Sequence, residues 1–300
     1  MLATGPRGLA DSDPVALGEQ VLAGWDAFLD VVTAPTTDLS RPSRLPGWTG
    51  RDVCVHLGAH DGTSPMAGIL ASARAGDLAD LGSPDAGNEA KVRAHRGLSD
   101  DEVVAGVVRA RDAVEDFLEG PDLERHGRTP VGSTVGPLPV LSLVHAATYE
   151  LAVHGMDLAP CGAPPPSSLL VDRGLASLVD VTGALASKAG VHFVLTASTP
   201  GSGWRFTSTE DGWATEPTPG GAFTGVGVRG TAAELLDASA GRVSVPGLLM
   251  SRRMVVQELP QWMRLAPLVA EVPGLPGGAA LRGAISGLGK VGGLLGRLRR

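Results

Sequence analysis

The sequence predicts an α+β protein in which a four-helix bundle comes first and a small α/β domain follows. Four long segments with helical spacing of apolar residues precede the proline run at residues 164–166, and short alternating segments follow it. The predicted boundaries are 1–163 for the bundle, 164–270 for the α/β domain and 271–300 for a basic tail rich in glycine and proline. With 300 residues, 43% of them hydrophobic, the chain is long enough to form two domains.

The predicted bundle helices have recognisable start signals. The first begins at Pro14, with Asp13 as its N-cap, because proline suits the first helical position. The second begins after Thr49, in a capping-box pattern, and runs to about residue 75, where a loop rich in Gly, Asp and Pro follows. A second capping-box pattern at Ser99 starts the third helix, and the fourth covers residues 141–159.

The α/β domain is predicted to open with a fifth helix, capped by Ser167 or Ser168. A small antiparallel sheet follows, with strands in the alternating segments 191–197, 203–208, 211–216 and 223–230. Two more helices are predicted, at 231–242 and, interrupted by proline, at 255–269. The tail at 271–300 is expected to be mobile, and residues 273–300 to be dispensable for folding.

Composition and charge exclude several classes of protein. The longest apolar stretch is too short to cross a bilayer, and the N-terminus lacks the apolar core of a secretion signal, so we expect a cytoplasmic protein. The net charge of −7, without a basic stripe, argues against a nucleic-acid partner. The tail carries arginines, but its glycines disfavour an amphipathic helix, and we expect no membrane contact through it. We expect a monomer or a homodimer.

Five polar residues in the bundle form a candidate metal site. Glu150, His154 and Asp157 follow a 4-then-3 spacing, which places them on one face of the fourth helix. The second helix offers His56 and His60, one turn apart. A carboxylate and imidazoles from facing helices are suitable ligands for zinc or another divalent ion. Two histidines and one glutamate would leave coordination positions open, as in catalytic sites.

The same spacing has a simpler interpretation. Glu150 and His154 have the spacing of an ordinary exposed pair one helical turn apart, and His56 could be a hydrogen-bonded histidine of the core. However, residues 151–153 make the fourth helix apolar on nearly every side. A glutamate buried there would cost several kcal/mol unless it were paired or bound to a metal. The spacing of these residues and the apolar character of the helix together leave both interpretations open, a metal site and an ordinary pair.

Two segments resemble a known family. GWTGRDVCVHLGAHD at residues 47–61 and YELAVHGMDLA at 149–159 are similar to the mycothiol-dependent maleylpyruvate isomerase group of the DinB-like superfamily. The resemblance covers roughly residues 14–163 and extends more loosely to the second domain. It rests on the combination of Pro-Gly-Trp before a helix, a histidine seven residues after Thr49, and Glu-x-x-x-His-Gly-x-Asp near the end of the bundle.

The resemblance implies a DinB-like metal-binding bundle with His56, Glu150 and His154 as metal ligands and water completing the shell. It implies that His60 and Asp157 belong to the cofactor-binding surroundings, His60 in the pocket and Asp157 orienting a ligand through a hydrogen bond. An ordinary buried histidine and a helix-packing aspartate are the alternatives.

The resemblance also implies a chemistry. In that family the thiol of mycothiol replaces a metal-bound water, and a divalent ion favours the thiolate. The thiolate adds to a small electrophile and leaves after bond rotation, which gives cis–trans isomerisation, or it displaces a leaving group in an S-transfer. The cofactors implied are therefore zinc or another divalent metal, with mycothiol as the thiol cosubstrate. Cys54 is expected to point away from His56 and to serve packing.

The second domain leaves two functions to compare. It loosely resembles a sterol-carrier-like α/β fold, which raises the alternative of a non-catalytic carrier that binds an apolar ligand. For an enzyme acting on a carboxylate, an arginine from this domain would bind the substrate, because the predicted metal-facing residues include no cation. We assign this catalytic role to Arg242, with Arg205 and Arg229 as further candidates and a solvated surface arginine as the alternative. On this hypothesis, Arg242→Ala lowers turnover and leaves zinc content and folding intact.

Overall fold

The helical part of the chain contains seven α-helices in the computed structural model, which describes residues 5–62, 64–79, 85–133 and 136–262. They are α1 (Pro14–Val32), α2 (Gly50–Leu57), α3 (Pro65–Ala75), α4 (Asp85–His95), α5 (Asp100–Glu119), α6 (Pro121–His126) and α7 (Val140–Asp157). Short 3-10 helices lie at Gly8–Asp11 and Ala159–Cys161, and strands β1 (Pro130–Val131) and β2 (Leu138–Pro139) pair antiparallel before α7.

The predicted helix starts are confirmed. The Asp13 side chain accepts a hydrogen bond from the Val15 amide, and Pro14 occupies the first position of α1. Both predicted capping boxes form, at Thr49 for α2 and at Ser99 for α5. These motifs act within one helical turn, so they need no information about the rest of the fold.

The prediction of one continuous second helix is wrong. The helix ends at Leu57, Gly58 is extended (φ −77°, ψ 169°), and a new helix begins at Pro65. Pro65 has no amide hydrogen to continue an earlier helix, and Ser64 caps the new one by accepting a hydrogen bond from the Ala67 amide. His60 therefore lies in the loop after α2, instead of one helical turn beyond His56.

The prediction of a loop throughout residues 76–98 is also wrong, because α4 lies within it. The helix is mostly polar and exposed, and Val92 is its buried apolar contact with the core. With so little apolar periodicity, its helical pattern is weak in the sequence, and tertiary contacts from the rest of the helical part stabilise it.

The second part of the chain is a mixed sheet with helices. Helix α8 (Ser168–Lys188), capped by Ser167, precedes strands β3 (Phe193–Ser198), β4 (Ser202–Ser208), β5 (Trp213–Pro219), β6 (Gly227–Arg229) and β7 (Val255–Gln257). Helices α9 (Ala232–Ser239) and α10 (Val245–Met250) lie between β6 and β7, and α11 (Leu259–Trp262) follows. The strand order is β5-β4-β3-β6-β7.

Three details of this part differ from the sequence prediction. Strand β6 runs parallel to β3, with Thr196 opposite Gly227, so the sheet is not entirely antiparallel. Residues 255–257 form the edge strand β7 instead of starting a helix, because their two valines favour a strand. Helix α10 was not predicted. Residues 263–300, with the predicted tail at 271–300, lie outside the described residues.

The core connects the two parts. Helix α7 packs against α1 and α8, and α8 also packs against strands β4 and β5. A continuous apolar cluster extends from α1 through α7 and α8 into the sheet. The α+β class, with a helical part followed by a sheet region, is confirmed. None of the described helices is long and apolar enough to span a membrane.

Asp180 of α8 joins the N-terminal segment to the sheet. Its Oδ1 accepts hydrogen bonds from the Leu9 amide (3.0 Å), the Trp213 Nε1 (2.9 Å) and the Thr215 hydroxyl (2.6 Å). Gly8 has a φ of +60°, and a side chain there would collide with Asp180 and Trp213. Burial raises the pKa of Asp180 to about 6, although the three hydrogen bonds oppose this shift.

We expect the stabilising effect of Asp180→Asn to grow with pH. The folded state favours the protonated carboxyl, so the wild type loses stability as the pH rises from about 4 through about 6. The asparagine variant has no charge to bury, and its free energy of unfolding relative to wild type should increase by about 3 kcal/mol over that range. Urea unfolding of both proteins at several pH values measures this. A difference that does not change with pH would contradict the raised pKa.

Candidate metal centre

Three predicted ligands come together at the interface of α2 and α7. His56 lies in the last turn of α2, and Glu150 and His154 lie one turn apart on α7. One side-chain nitrogen or oxygen from each residue lies within 4.8 Å of the others. The Glu150 Oε2 is 3.2 Å from the His154 Nε2 and 3.7 Å from the His56 Nε2.

The arrangement fits a divalent metal. Ligand atoms about 2.0–2.1 Å from a tetrahedral zinc are separated from one another by about 3.3 Å. Both distances from the Glu150 oxygen are close to this value. Two nitrogens and one carboxylate oxygen are also ligand types that zinc accepts, and three protein ligands leave a position for water or a substrate.

Glu150 lies at the solvent edge of this group. Its side chain is 40% exposed, whereas Leu151, Ala152 and Val153 are buried as the apolar sequence predicts. Burial alone would raise the pKa of Glu150, but the hydrogen bonds and charges of His154 and His56 outweigh that effect and hold the pKa well below its usual range. The exposed edge provides access for a ligand from solvent.

Asp157 holds His154 in position. The His154 Nδ1 donates to the Asp157 Oδ2 over 3.0 Å, which leaves Nε2 directed towards Glu150. Burial would lower the pKa of His154, but the bonds to Asp157 and Glu150 raise it to about 9 in the metal-free protein. A carboxylate on the far nitrogen is the usual support of a metal-binding histidine. The orienting role predicted for Asp157 requires this contact, and the role itself remains a prediction.

Arginines from two distant segments reach the same carboxylate. Arg242, which follows α9, donates from Nε and Nη2 to the two oxygens of Asp157 (2.8 and 2.9 Å). Arg44, in the loop before α2, places Nε 3.5 Å from the Asp157 carboxylate and Nη2 2.5 Å from Asp237. The Asp157 side chain is fully buried, which by itself would raise its pKa, but the hydrogen bonds and charges of His154 and Arg242 outweigh burial and lower it.

Arg242, the arginine predicted to be catalytic, thus contacts Asp157, which in turn contacts His154. The Arg242 side chain is 17% exposed, and its guanidinium makes a bidentate ion pair instead of facing open solvent. Of the further candidates, Arg205 on β4 pairs with Glu216 on β5, and Arg229 lies on β6. A direct role of Arg242 on substrate remains a prediction.

His60 lies outside the group formed by His56, Glu150 and His154. It is buried, its ring centroid lies 5.0 Å from that of His95, and any side chain at Gly106 would collide with it. Burial lowers the pKa of His60 to about 4. Its predicted place in the cofactor pocket remains a prediction.

Sequence reasoning missed Arg44 and Lys91 near the centre. Arg44 lies in a turn-rich segment, and Lys91 lies on the unpredicted helix α4, where its Nζ donates to the main-chain carbonyls of His56 and Gly58. Such contacts join residues distant in sequence and leave no local pattern. Trp48 lies at the entry of α2, as predicted, and its ring meets that of His56 edge-on.

The sheet offers one feature relevant to the carrier alternative. A groove of about 460 Å³ is lined by apolar Phe193, Val194 and Val226 together with polar Arg205 and Gln261. Val194 and Gln261 are exposed, so the groove is open to solvent. A site for an apolar ligand is usually concave and mostly apolar. This groove has apolar lining residues, but it also has polar ones and is open to solvent.

Comparison with known families agrees with the geometry of the centre. The family model described as the mycothiol maleylpyruvate isomerase N-terminal domain matches residues 21–159, which include all three proposed ligands. This stretch of the chain is similar to that domain family. The resemblance drawn from the two sequence segments is thereby confirmed for the helical part.

Solved structures similar to this chain include a mycothiol-dependent maleylpyruvate isomerase, at 18% identity and a TM-score of 0.45 over 77% of this chain and 89% of that one. A mutant of the isomerase in which a histidine is replaced by alanine gives 18% identity and a TM-score of 0.44 over the same shares. This likeness is too distant to support a conclusion about activity. A comparison with curated proteins gives no match.

Proposed function

We propose that this protein is a metal-dependent enzyme that uses mycothiol to isomerise a small electrophilic substrate or to transfer the thiol to it. One observation carries the proposal: His56, Glu150 and His154 converge as a nitrogen–oxygen–nitrogen set with an exposed edge. These residues lie within a stretch that is similar to the mycothiol maleylpyruvate isomerase N-terminal domain family.

The chain's residues have distinct roles in this proposal. His56, Glu150 and His154 would hold the metal, for which zinc is the best match to the ligand types. A bound divalent ion would favour the thiolate over the thiol and so provide a nucleophile near neutral pH. Asp157 holds the Nδ1 proton of His154, so metal binding would displace only the Nε2 proton and leave the Nε2 lone pair as the ligand.

The two arginines fix the carboxylate that supports His154. Arg242 binds both oxygens of Asp157, and the Arg44 Nε lies 3.5 Å from the Asp157 Oδ1. Arg242 thereby links the second part of the chain to the metal centre, whether or not it touches substrate.

The proposed setting is the cytoplasm, with a small electrophile and a low-molecular-weight thiol as the partners. Cys54 and Cys161 are both buried and free, which suits a reducing compartment. Burial raises the pKa of Cys54, which supports its assignment to packing instead of to thiol chemistry.

We expect the zinc-loaded protein to be stabilised by mycothiol. At a hundred times its dissociation constant, a ligand that binds the folded state alone adds about 2.7 kcal/mol to the free energy of unfolding. Metal analysis followed by thermal unfolding with mycothiol, glutathione and cysteine measures this, with the metal-free protein as control. A turnover assay with maleylpyruvate and other electrophiles then tests the reaction.

Two results would contradict the proposal. If the protein bound no zinc after loading, the proposed metal centre would be wrong. If mycothiol raised the melting temperature equally with and without metal, the thiol would not bind at the metal. Stabilisation of the metal-free protein by fatty acids or sterols, without any effect of thiols, would favour the carrier function instead.

A further inference from the structure

His56 lacks the support that His154 receives. The His154 Nδ1 is bonded to Asp157, but the buried His56 Nδ1 has no hydrogen-bond partner among the described residues. Metal-binding histidines almost always donate their second ring nitrogen to an acceptor, which fixes the ring. The orientation of His56 must therefore depend on its main chain and on the side chains packed against its ring.

Helix α4 provides a support for the main chain of His56. The Lys91 Nζ donates to the carbonyl oxygens of His56 and Gly58, each over 2.8 Å. Helix α2 has eight residues, and the last carbonyls of a helix have no partner within it. A cation at this end satisfies two of these acceptors and interacts favourably with the helix dipole.

The same helix supports the ring of His56 indirectly. The ring of Trp48 meets that of His56 edge-on, with centroids 5.6 Å apart, and the Trp48 Nε1 donates to the Glu89 carboxylate of α4 over 3.2 Å. Lys91 therefore fixes the carbonyl side of His56, and Glu89 fixes the tryptophan against its ring. Of these two contacts, Lys91 acts on His56 without an intervening residue.

We infer that Lys91 is a positioning residue for the metal centre, and that it sets the end of α2 so that His56 reaches the metal. This inference rests on the proposed function, because it assumes that His56 is a ligand. The Lys91 Nζ donates to main-chain oxygens of the segment, and the side-chain ligand atom of His56 is left to the metal. Its loss would release the last turn of α2 while Glu150 and His154 stay on the intact helix α7.

The test compares three variants for zinc binding. Lys91→Met keeps the length of the side chain and removes its donors, Lys91→Arg keeps donors and charge, and Arg93→Met removes a charge from an exposed position of the same helix. Competition with a chromophoric chelator gives the zinc dissociation constant. We expect Lys91→Met to weaken binding about 10- to 100-fold, the range for residues that support a metal ligand. Lys91→Arg should recover most of the affinity, and Arg93→Met should match wild type.

Cobalt substitution provides a second readout, because the visible spectrum of Co²⁺ reports its ligand set. We expect the spectrum of Lys91→Met to change and that of Lys91→Arg to approach wild type. Wild-type affinity and spectrum in folded Lys91→Met would overturn the inference and leave the metal centre intact. A wild-type protein that binds no metal would instead overturn the proposed function. If Lys91→Met does not fold, Lys91→Leu, which also has no donor, replaces it, and wild-type metal binding in that folded variant is equally contradictory.

Discussion

His154→Ala is expected to lose its stoichiometric zinc and its activity. The substitution removes one of the three proposed ligands and leaves the buried carboxylate of Asp157 without its imidazole partner. Substitution of a residue that merely supports a metal ligand lowers metal affinity about 10- to 100-fold, so substitution of the ligand itself should lower zinc affinity by more than about 100-fold. Zinc is measured after dialysis against a mild chelator.

The matched control for this substitution is His126→Ala. His126 also lies on a helix of the first part, where its Nε2 is 4.0 Å from the Asp122 carboxylate and outside the metal centre. We expect this variant to keep zinc and turnover. If His154→Ala retained a full equivalent of zinc after dialysis, the ligand assignment would be wrong.

Asp157→Ala is expected to reduce both stability and metal affinity. Arg242 makes its bidentate contact with this carboxylate, and the His154 Nδ1 bonds to it as well. Removal of one member of a buried ion pair costs about 3–5 kcal/mol, since the remaining charge is left without a partner. Free rotation of His154 should add a 10- to 100-fold loss of zinc affinity. Chemical unfolding and chelator competition measure the two effects.

Arg242→Ala separates the predicted roles of that arginine. The sequence interpretation expects lower turnover with folding intact, whereas the contacts with Asp157 predict a loss of stability as well. A double-mutant cycle of Arg242→Ala with Asp157→Ala should give a coupling energy above about 1 kcal/mol. Arg205→Ala, at the exposed pair with Glu216, is the control and should change stability by less than about 1 kcal/mol. Additive effects at positions 157 and 242 would contradict the ion pair.

Local signals in the sequence predicted much of the fold. The Asp13 cap and the two capping boxes act within one turn, and they placed the starts of α1, α2 and α5. Helix α4 was missed because Val92 is its main buried apolar residue, and its stability comes from the surrounding helices. The parallel pairing of β6 with β3 is a non-local contact, which alternation within a strand does not report.

In the candidate site, too, local spacing predicted some residues, and contacts between distant segments determine the others. Glu150 and His154 share one helix face, so their spacing alone suggested that they act together. His56 comes from another helix and was assigned through the family resemblance. The contacts of Lys91, Arg44 and Arg242 depend on how distant segments pack, so the sequence gives no periodic signal for them.

Anomalous diffraction from crystals of the zinc-loaded protein tests the central claim most directly. Data collected on both sides of the zinc absorption edge locate the ion without reference to activity. We predict one peak per chain, about 2.0–2.2 Å from a nitrogen of His56, an oxygen of Glu150 and a nitrogen of His154. A crystal of zinc-loaded protein with no peak at this position, or with its zinc bound by other residues, would contradict the account.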